Sequence, residues 1–470
     1  MTFIFYDTET TGTDTTFDQV LQFAAIKADE DLNILDTFSI RGRLLPHVVP
    51  SPGALLVTGV TIRDITSCPL SHYEMSGQIH RKMSEWSRGG AVFMGWNSMR
   101  FDEPLLRQTY YQSLFPVYQT NTNGNGRADV MRIAQIVSAA APDVLTIPGL
   151  KENKPSFRLG LVAAANGIVL DNAHEALADT AATLAVAKLL RQRAPVIWKG
   201  LIANGRKANV LHLMRKHPAL LLAESHFGRR YSYVVAPIAS NLTNESEWGF
   251  FDLQFDPATY LGVSENKLRV AIEARAIRRL PINTQPGLLP VEFAPEGVQG
   301  GRLPLETYRT RAIAIQGNPT FQERVGRLLA MLHEEKYGGQ PPSPYIEQRI
   351  HDGFPTQPDS KRMDAFHHAI WQDRAKITDT FEDGRYREIA LRLLADGQPS
   401  SLTDEHRRQW MTWRGERLFE TADVPWLTVP KALNEIASLE PAATSTQKIQ
   451  LADFRKYLAE LPQEAYRPGI

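Results

Sequence analysis

Residues 3–13, FIFYDTETTGT, set an apolar, strand-forming run directly against two acids one residue apart. Side chains of a β-strand alternate with period two, so Asp7 and Glu9 project from one face at the strand's end. Two carboxylates held side by side repel each other, and either one keeps a proton or a cation sits between them. A solvated surface turn is the alternative. Further acids are needed to decide.

The surrounding pattern places this strand in an α/β unit. From Thr2 to Pro195 short apolar runs alternate with helical periods: TFIFY, VLQFAAIKA, DTFSIRG and AVFMGWN read as strands, while EMSGQIHRKMSEWS, DVMRIAQIVSAAA, RLGLVAAANG and HEALADTAATLAVAKLLRQR read as helices. At 470 residues the chain is too long for one core, and two or three domains are expected. The first spans 1–195 and ends at a proline. Over 196–345 the composition shifts to β-like runs such as YSYVVAPIA and WGFFDLQF, closing on the linker YGGQPPSP. Over 346–470 the segments are amphipathic and predict a helical domain.

Lys and Arg (52) balance Asp and Glu (52), so only a local excess of charge can point to a nucleic-acid partner. Cys68 is the only cysteine, which excludes an internal disulfide and a thiolate zinc site and fits a reducing compartment. With neither a signal-peptide pattern nor a membrane-length apolar stretch, a soluble, cytoplasmic monomer without a membrane partner is expected.

Two more acids stand out. In GWNSMRFDEP, Asp102 lies where a strand turns into a helix, a place that also suits a simple helix cap. In NAHEALADTAATLAVAKLL, Asp179 is set among Ala, Leu and Thr on a helix too apolar to be exposed, so a partner or a cation is expected. His174 precedes it by five residues, about 140° around an ideal helix, which puts the histidine in the first turn or the loop before it.

The order Asp-x-Glu, Phe-Asp, His-x4-Asp resembles the DEDD superfamily of 3′→5′ exonucleases, in the subgroup whose last motif carries histidine. YDTETTGT, QFAAIKAD, SPGALLVTGVT, GWNSMRFDEPLLR, RADVMR, PSFRLGLVAAANGI and NAHEALADTAATLAVAKLL resemble the bacterial exodeoxyribonuclease I family, with thinner likeness at VVAP, LPIN and IHDGF. The resemblance implies a ribonuclease H-like exonuclease domain, a mixed sheet flanked by helices, followed by an SH3-like β-rich domain and a helical domain that close around a strand. It also implies single-strand DNA-binding protein as a partner.

Phosphodiester hydrolysis needs an activated water, a shield for the phosphate charge and stabilisation of the leaving oxygen, all of which two metal ions about 4 Å apart can supply. Hard carboxylate oxygens suit Mg²⁺, with Mn²⁺ as a substitute. Asp7, Glu9 and Asp179 are expected as direct ligands, Asp102 as a ligand through water, and His174 as the base. Glu9 and Arg158 are expected to bind substrate. Phe157 can stack on a base while Arg158 pairs with phosphate. By resemblance Arg107, Tyr118 and Arg132 fall where the family contacts DNA, and LLVTGVT resembles the segment packing on the terminal nucleotide.

Two basic clusters follow: Lys199, Arg206, Lys207, Arg215, Lys216, Arg229 and Arg230, opposed only by Glu224, then Lys267, Arg269, Arg275, Arg278 and Arg279. They are expected to form a phosphate groove. The leading expectation is degradation of single-stranded DNA from its 3′ end to 5′-mononucleotides, in DNA repair and recombination. An RNA-trimming or proofreading exonuclease, or a catalytically silent nucleic-acid binding module, are the alternatives.

Overall fold

The computed structural model describes residues 1–149, 154–169, 175–226 and 229–461. Its first sheet has the order β3-β2-β1-β4-β5, built from β1 (Thr2–Thr10), β2 (Val20–Ala28), β3 (Ile34–Arg41), β4 (Ala91–Gly95) and β5 (Gly126–Asp129). β1 pairs antiparallel with β2, placing Asp7 opposite Ala24 and Glu9 opposite Gln22, and parallel with β4. β5 adds a second parallel pair. β1 is therefore central, and its aromatic and β-branched residues are buried on both faces.

The helices of this unit are α1 (Pro52–Thr58), α2 (Ile62–Thr66), α3 (His72–Trp86), α4 (Asp102–Tyr111), α5 (Val130–Ala140), α6 (Leu159–Ala165) and α7 (Ala176–Arg193). α1 starts because the Ser51 side chain accepts from the N–H of Ala54 and Pro52 is preset for a first turn. It stops at Gly59, whose φ of 70° is left-handed. α7 breaks at Ala194, where Pro195 opens α8 (Pro195–Ala203).

A second, wholly antiparallel sheet has the order β10-β6-β7-β8-β9, from β6 (Leu220–His226), β7 (Arg229–Ser240), β8 (Glu247–Asp252), β9 (Ile277–Pro281) and β10 (Leu288–Pro290). With it lie α9 (Lys207–Lys216), α10 (Glu265–Glu273), α11 (Leu305–Gln316) and α12 (Pro319–Tyr337). The remaining elements are helical: α13 (Gln357–His368), α14 (Trp371–Thr378), α15 (Gly384–Gly397), α16 (Asp404–Phe419), α17 (Val429–Leu439) and α18 (Ser445–Glu460). Among the described residues no helix is long and apolar enough to cross a membrane.

The apolar core does not stop at Pro195. Ile133, Ile136 and Val137 of α5 share one cluster with Leu221 and Val234 of the second sheet and with Ile197, Trp198 and Leu201 of α8. Trp198 lies 6.4 Å, ring to ring, from Phe3 of β1. The helical region is likewise joined to the first unit. Leu55 of α1 and Ile62 and Ile65 of α2 are buried with Leu418, Val429, Ile436 and Phe454. Tyr73 of α3 and Tyr111 of α4 are buried with Phe366, Phe381 and Ile389.

Part of the two basic clusters is paired within the protein, while Lys199, Arg215, Lys216, Arg229, Lys267 and Arg275 are exposed. Arg278 pairs with Asp252 at 3.1 Å and lies 3.3 Å over the Tyr233 ring. Arg279 pairs with Glu247 at 2.6 Å, and Arg269 with Glu335 at 2.7 Å. In the first cluster Lys207 faces Glu245 at 3.5 Å, while Arg206 and Arg230 donate to the carbonyls of Gly124 and Ser138. Glu224 is thus not the sole acid near the first cluster, since Glu245 faces Lys207, and in the second cluster strand and helix pairing brings acids distant in sequence against Arg269, Arg278 and Arg279.

Candidate active site

Alternation along β1 decides where the acids go. Phe3 and Phe5 pack with Leu184, Ala187 and Leu190 of α7. The same face carries Asp7 and Glu9 one and two steps further, to the first turn of α7, where Asp179 lies. Oxygens of Asp7, Glu9 and Asp179 all lie within 4.8 Å of one another. Asp102 approaches from α4, 2% exposed, and accepts from the Thr8 hydroxyl at 2.6 Å and the Thr8 N–H at 3.0 Å.

The electrostatics follow from that crowding. Burial, and then the charges of Asp102, Glu9 and Asp179, push the Asp7 carboxyl well above its ordinary range. Burial pushes Glu9 up to about 8, aided by Asp179 and Asp102 and opposed by Arg41. Burial raises Asp102 to about 7 against the opposing hydrogen bond from Thr8. Asp7, Glu9 and Asp102 cannot all be ionised near neutrality without a compensating cation. The three clustered carboxylates offer only hard oxygens, a donor set that fits a hard divalent cation. The solvated-turn alternative for Asp7 and Glu9 is therefore set aside, as is simple capping for Asp102, whose acceptor oxygen is taken up by Thr8 across the sheet end.

The other expected residues divide. His174 lies outside the described residues. Arg107 lies 4.9 Å over the Tyr118 ring, so the structure brings these two together. Arg107 also pairs at 2.8 Å with Glu103, a residue 2% exposed. Arg132 is half-buried beside a cleft of about 70 Å³ whose walls include Arg100, Asp129 and Glu224. Phe157 is half-buried against the main core and its carbonyl accepts from Trp96 at 2.8 Å. Arg158 is exposed at the start of α6.

Sequence reasoning missed Glu103. Its carboxylate accepts from the Tyr6 hydroxyl at 3.0 Å and the Thr120 hydroxyl at 2.6 Å, and pairs with Arg127 at 3.2 Å as well as with Arg107. It anchors the helix that presents Asp102. Its only sequence signal was its adjacency to Asp102 in FDEP, which a solvated acid in a first helical turn would share.

Comparison with known proteins bears on the fold and on the exonuclease domain. Residues 4–187 match the family model described as Exonuclease, and residues 345–461 match the Exonuclease I C-terminal domain. Exodeoxyribonuclease I of Haemophilus influenzae is 26% identical over 439 residues, covering 89% of this chain and 91% of the relative. The solved Exonuclease I of Methylocaldum szegediense is similar with a TM-score of 0.83 at 26% identity, over 98% of this chain and 99% of that one. Escherichia coli Exonuclease I in complex with a dA16 oligonucleotide has the same fold, with a TM-score of 0.82 at 23% identity over 98% and 100% of the two chains. A ribonuclease H-like sheet carrying clustered carboxylates, an exonuclease match across that sheet and a specific match across the helical region lead to one conclusion: residues 4–187 form an exonuclease domain, residues 345–461 form an Exonuclease I C-terminal domain, and the chain is similar to exodeoxyribonuclease I along 89% of its length.

Proposed function

We propose that the chain removes 5′-mononucleotides from the 3′ end of single-stranded DNA with two divalent ions, Mg²⁺ foremost and Mn²⁺ as substitute, in the cytoplasm and in DNA repair and recombination. The observation that carries this reading is the convergence of Asp7, Glu9 and Asp179 within 4.8 Å. Asp7, Glu9 and Asp179 would hold the ions, with Asp102 holding the second through water. When bound, such ions lower the proton affinity of water and offset charge on the phosphate. Asp102 is held as an acceptor by Thr8. His174, by its place in the motif, takes the proton from the attacking water.

Single-stranded DNA as substrate is supported by the relatives' name and by the oligonucleotide complex of a protein with this fold. Glu9 and Arg158 are proposed to bind the strand end, with Phe157, Tyr118, Arg107 and Arg132 along the strand. Single-strand DNA-binding protein is the proposed partner, supported by a solved ExoI/SSB-Ct complex of the same fold. The test is digestion of end-labelled single-stranded DNA, duplex DNA and RNA, each with Mg²⁺ and with chelator. Preferential Mg²⁺-dependent shortening of single-stranded DNA is expected, and preference for RNA or duplex would contradict the reading.

A further inference from the structure

A cavity of about 610 Å³ begins at the metal-ligand strand and ends in the helical region. Glu9, Val57 and Phe101 line it, as do Phe17, Arg417 and Trp426, which pack on one another. Its volume is in the range that encloses a small organic ligand. Nothing in the motif pattern pointed to Trp426 or Arg417, which follow the last catalytic acid by more than two hundred residues.

The far wall is built rather than incidental. The Trp426 indole N–H donates to the Arg417 carbonyl at 2.9 Å, which fixes the plane of the ring. The Arg417 guanidinium lies 4.1 Å over that ring, and Phe17 and Tyr345 meet it at 5.7 and 5.0 Å. Arg417 is 5% exposed and shares the buried Glu347 carboxylate with Arg392, at 3.3 and 2.9 Å. Trp426 itself is only half-buried and lines the cavity. A ring with its polar edge used and its neighbours locked presents a rigid π-surface at low entropic cost.

The near wall is also held from the helical region. Glu435 of α17 accepts from the Ser51 hydroxyl at 2.8 Å and from the Gly53 N–H at 3.0 Å. These are the first residues of α1, the helix that carries Val57 and Thr58 to the cavity. One helical region thus supplies one wall and fixes the other.

We propose that this region completes the pocket for the strand's terminal nucleoside, with Trp426 as the surface on which the base stacks and Glu435 as a positioning residue for α1. The inference rests on the proposed exonuclease function and adds residues that set affinity for the strand end. A π-surface accepts any base, so the pocket tolerates all four.

The test uses the full chain and thymidine 5′-monophosphate as probe. Binding of the mononucleotide is measured by calorimetry, and KM and kcat on single-stranded oligothymidylate with Mg²⁺. In W426A the mononucleotide affinity falls and KM rises, each by roughly tenfold, with kcat changed much less, and W426F restores both to within about threefold. E435A raises KM in the same direction, and E435Q retains part of the wild-type value. Equal mononucleotide affinity in wild type and W426A would overturn the inference while leaving the proposed function intact. A wild-type chain that binds the mononucleotide through Trp426 yet does not shorten DNA supports the pocket and overturns the proposed function instead.

Discussion

Thr8 donates twice to one oxygen of Asp102, from its hydroxyl at 2.6 Å and from its backbone N–H at 3.0 Å. Burial pushes this carboxyl up, and the Thr8 bonds oppose that by favouring the ionised form. In T8V the hydroxyl is lost with little change of shape. A hydrogen bond to a buried charge is worth enough that kcat should fall by roughly tenfold or more, and T8S should stay within a few-fold of wild type. Equal kcat in T8V and wild type would show that the contact does not bear on the reaction.

Crowded carboxylates also make a pH prediction for the metal-free chain. Glu9 is held at about 8 in the folded protein, against an ordinary value of 4.5. As pH rises from about 5 to about 8 the unfolded chain loses this proton and the folded chain keeps it, so stability falls over that window. A cation that displaces the proton should reverse the trend, stabilising more at the upper end. Thermal unfolding in chelator and in Mg²⁺, for wild type and E9Q, checks this. E9Q should show a flatter pH dependence in chelator, and identical slopes would contradict the assignment.

His174 gives a kinetic prediction. H174A should lower the maximal rate by roughly 10²-fold and remove the acidic limb of the pH-rate profile near neutrality, with a smaller effect on DNA affinity. A variant that keeps the wild-type profile would assign the proton transfer elsewhere.

The sequence invites a cut at Pro195, since every catalytic acid precedes it. The structure argues against a self-sufficient fragment. Ile133, Ile136 and Val137 would lose their cover from Leu221 and Val234, and Leu55, Ile62 and Ile65 theirs from α16 to α18. Each exposed large aliphatic side chain forfeits about 1.5–3 kcal/mol, so the summed loss is as large as the whole stability of an ordinary domain. A fragment ending there should show no cooperative unfolding transition, whereas a sharp one would overturn this reading of the core.

What was legible in the sequence was what local physics decides. The aromatic and β-branched runs of β1 and β2, the period of α7 and the amphipathic C-terminal helices all declare themselves. β5 did not, because GRAD is four residues long with Gly and Asp at its ends and exists through parallel pairing with β4. α11 and α12 were hidden in a stretch read for its strands. The pairing of Asp7 with Glu9 followed from strand alternation alone, while their meeting with Asp179 needed the packing of α7 on β1. Glu103, Trp426 and Glu435 were invisible for the same reason: their partners come from tertiary packing, and Ser51 and Glu435 are 384 residues apart.

The most direct measurement is a product ladder on 3′-intact, 5′-labelled single-stranded DNA, run with wild type, D7A and D179A, in Mg²⁺ and in chelator, beside equilibrium DNA binding by the same proteins. The carboxylate cluster predicts stepwise 3′ shortening by wild type in Mg²⁺ only, none by either variant, and DNA binding by both variants within a few-fold of wild type. Wild-type turnover by D7A or D179A, or undiminished shortening in chelator, would contradict a divalent-metal site built on these residues.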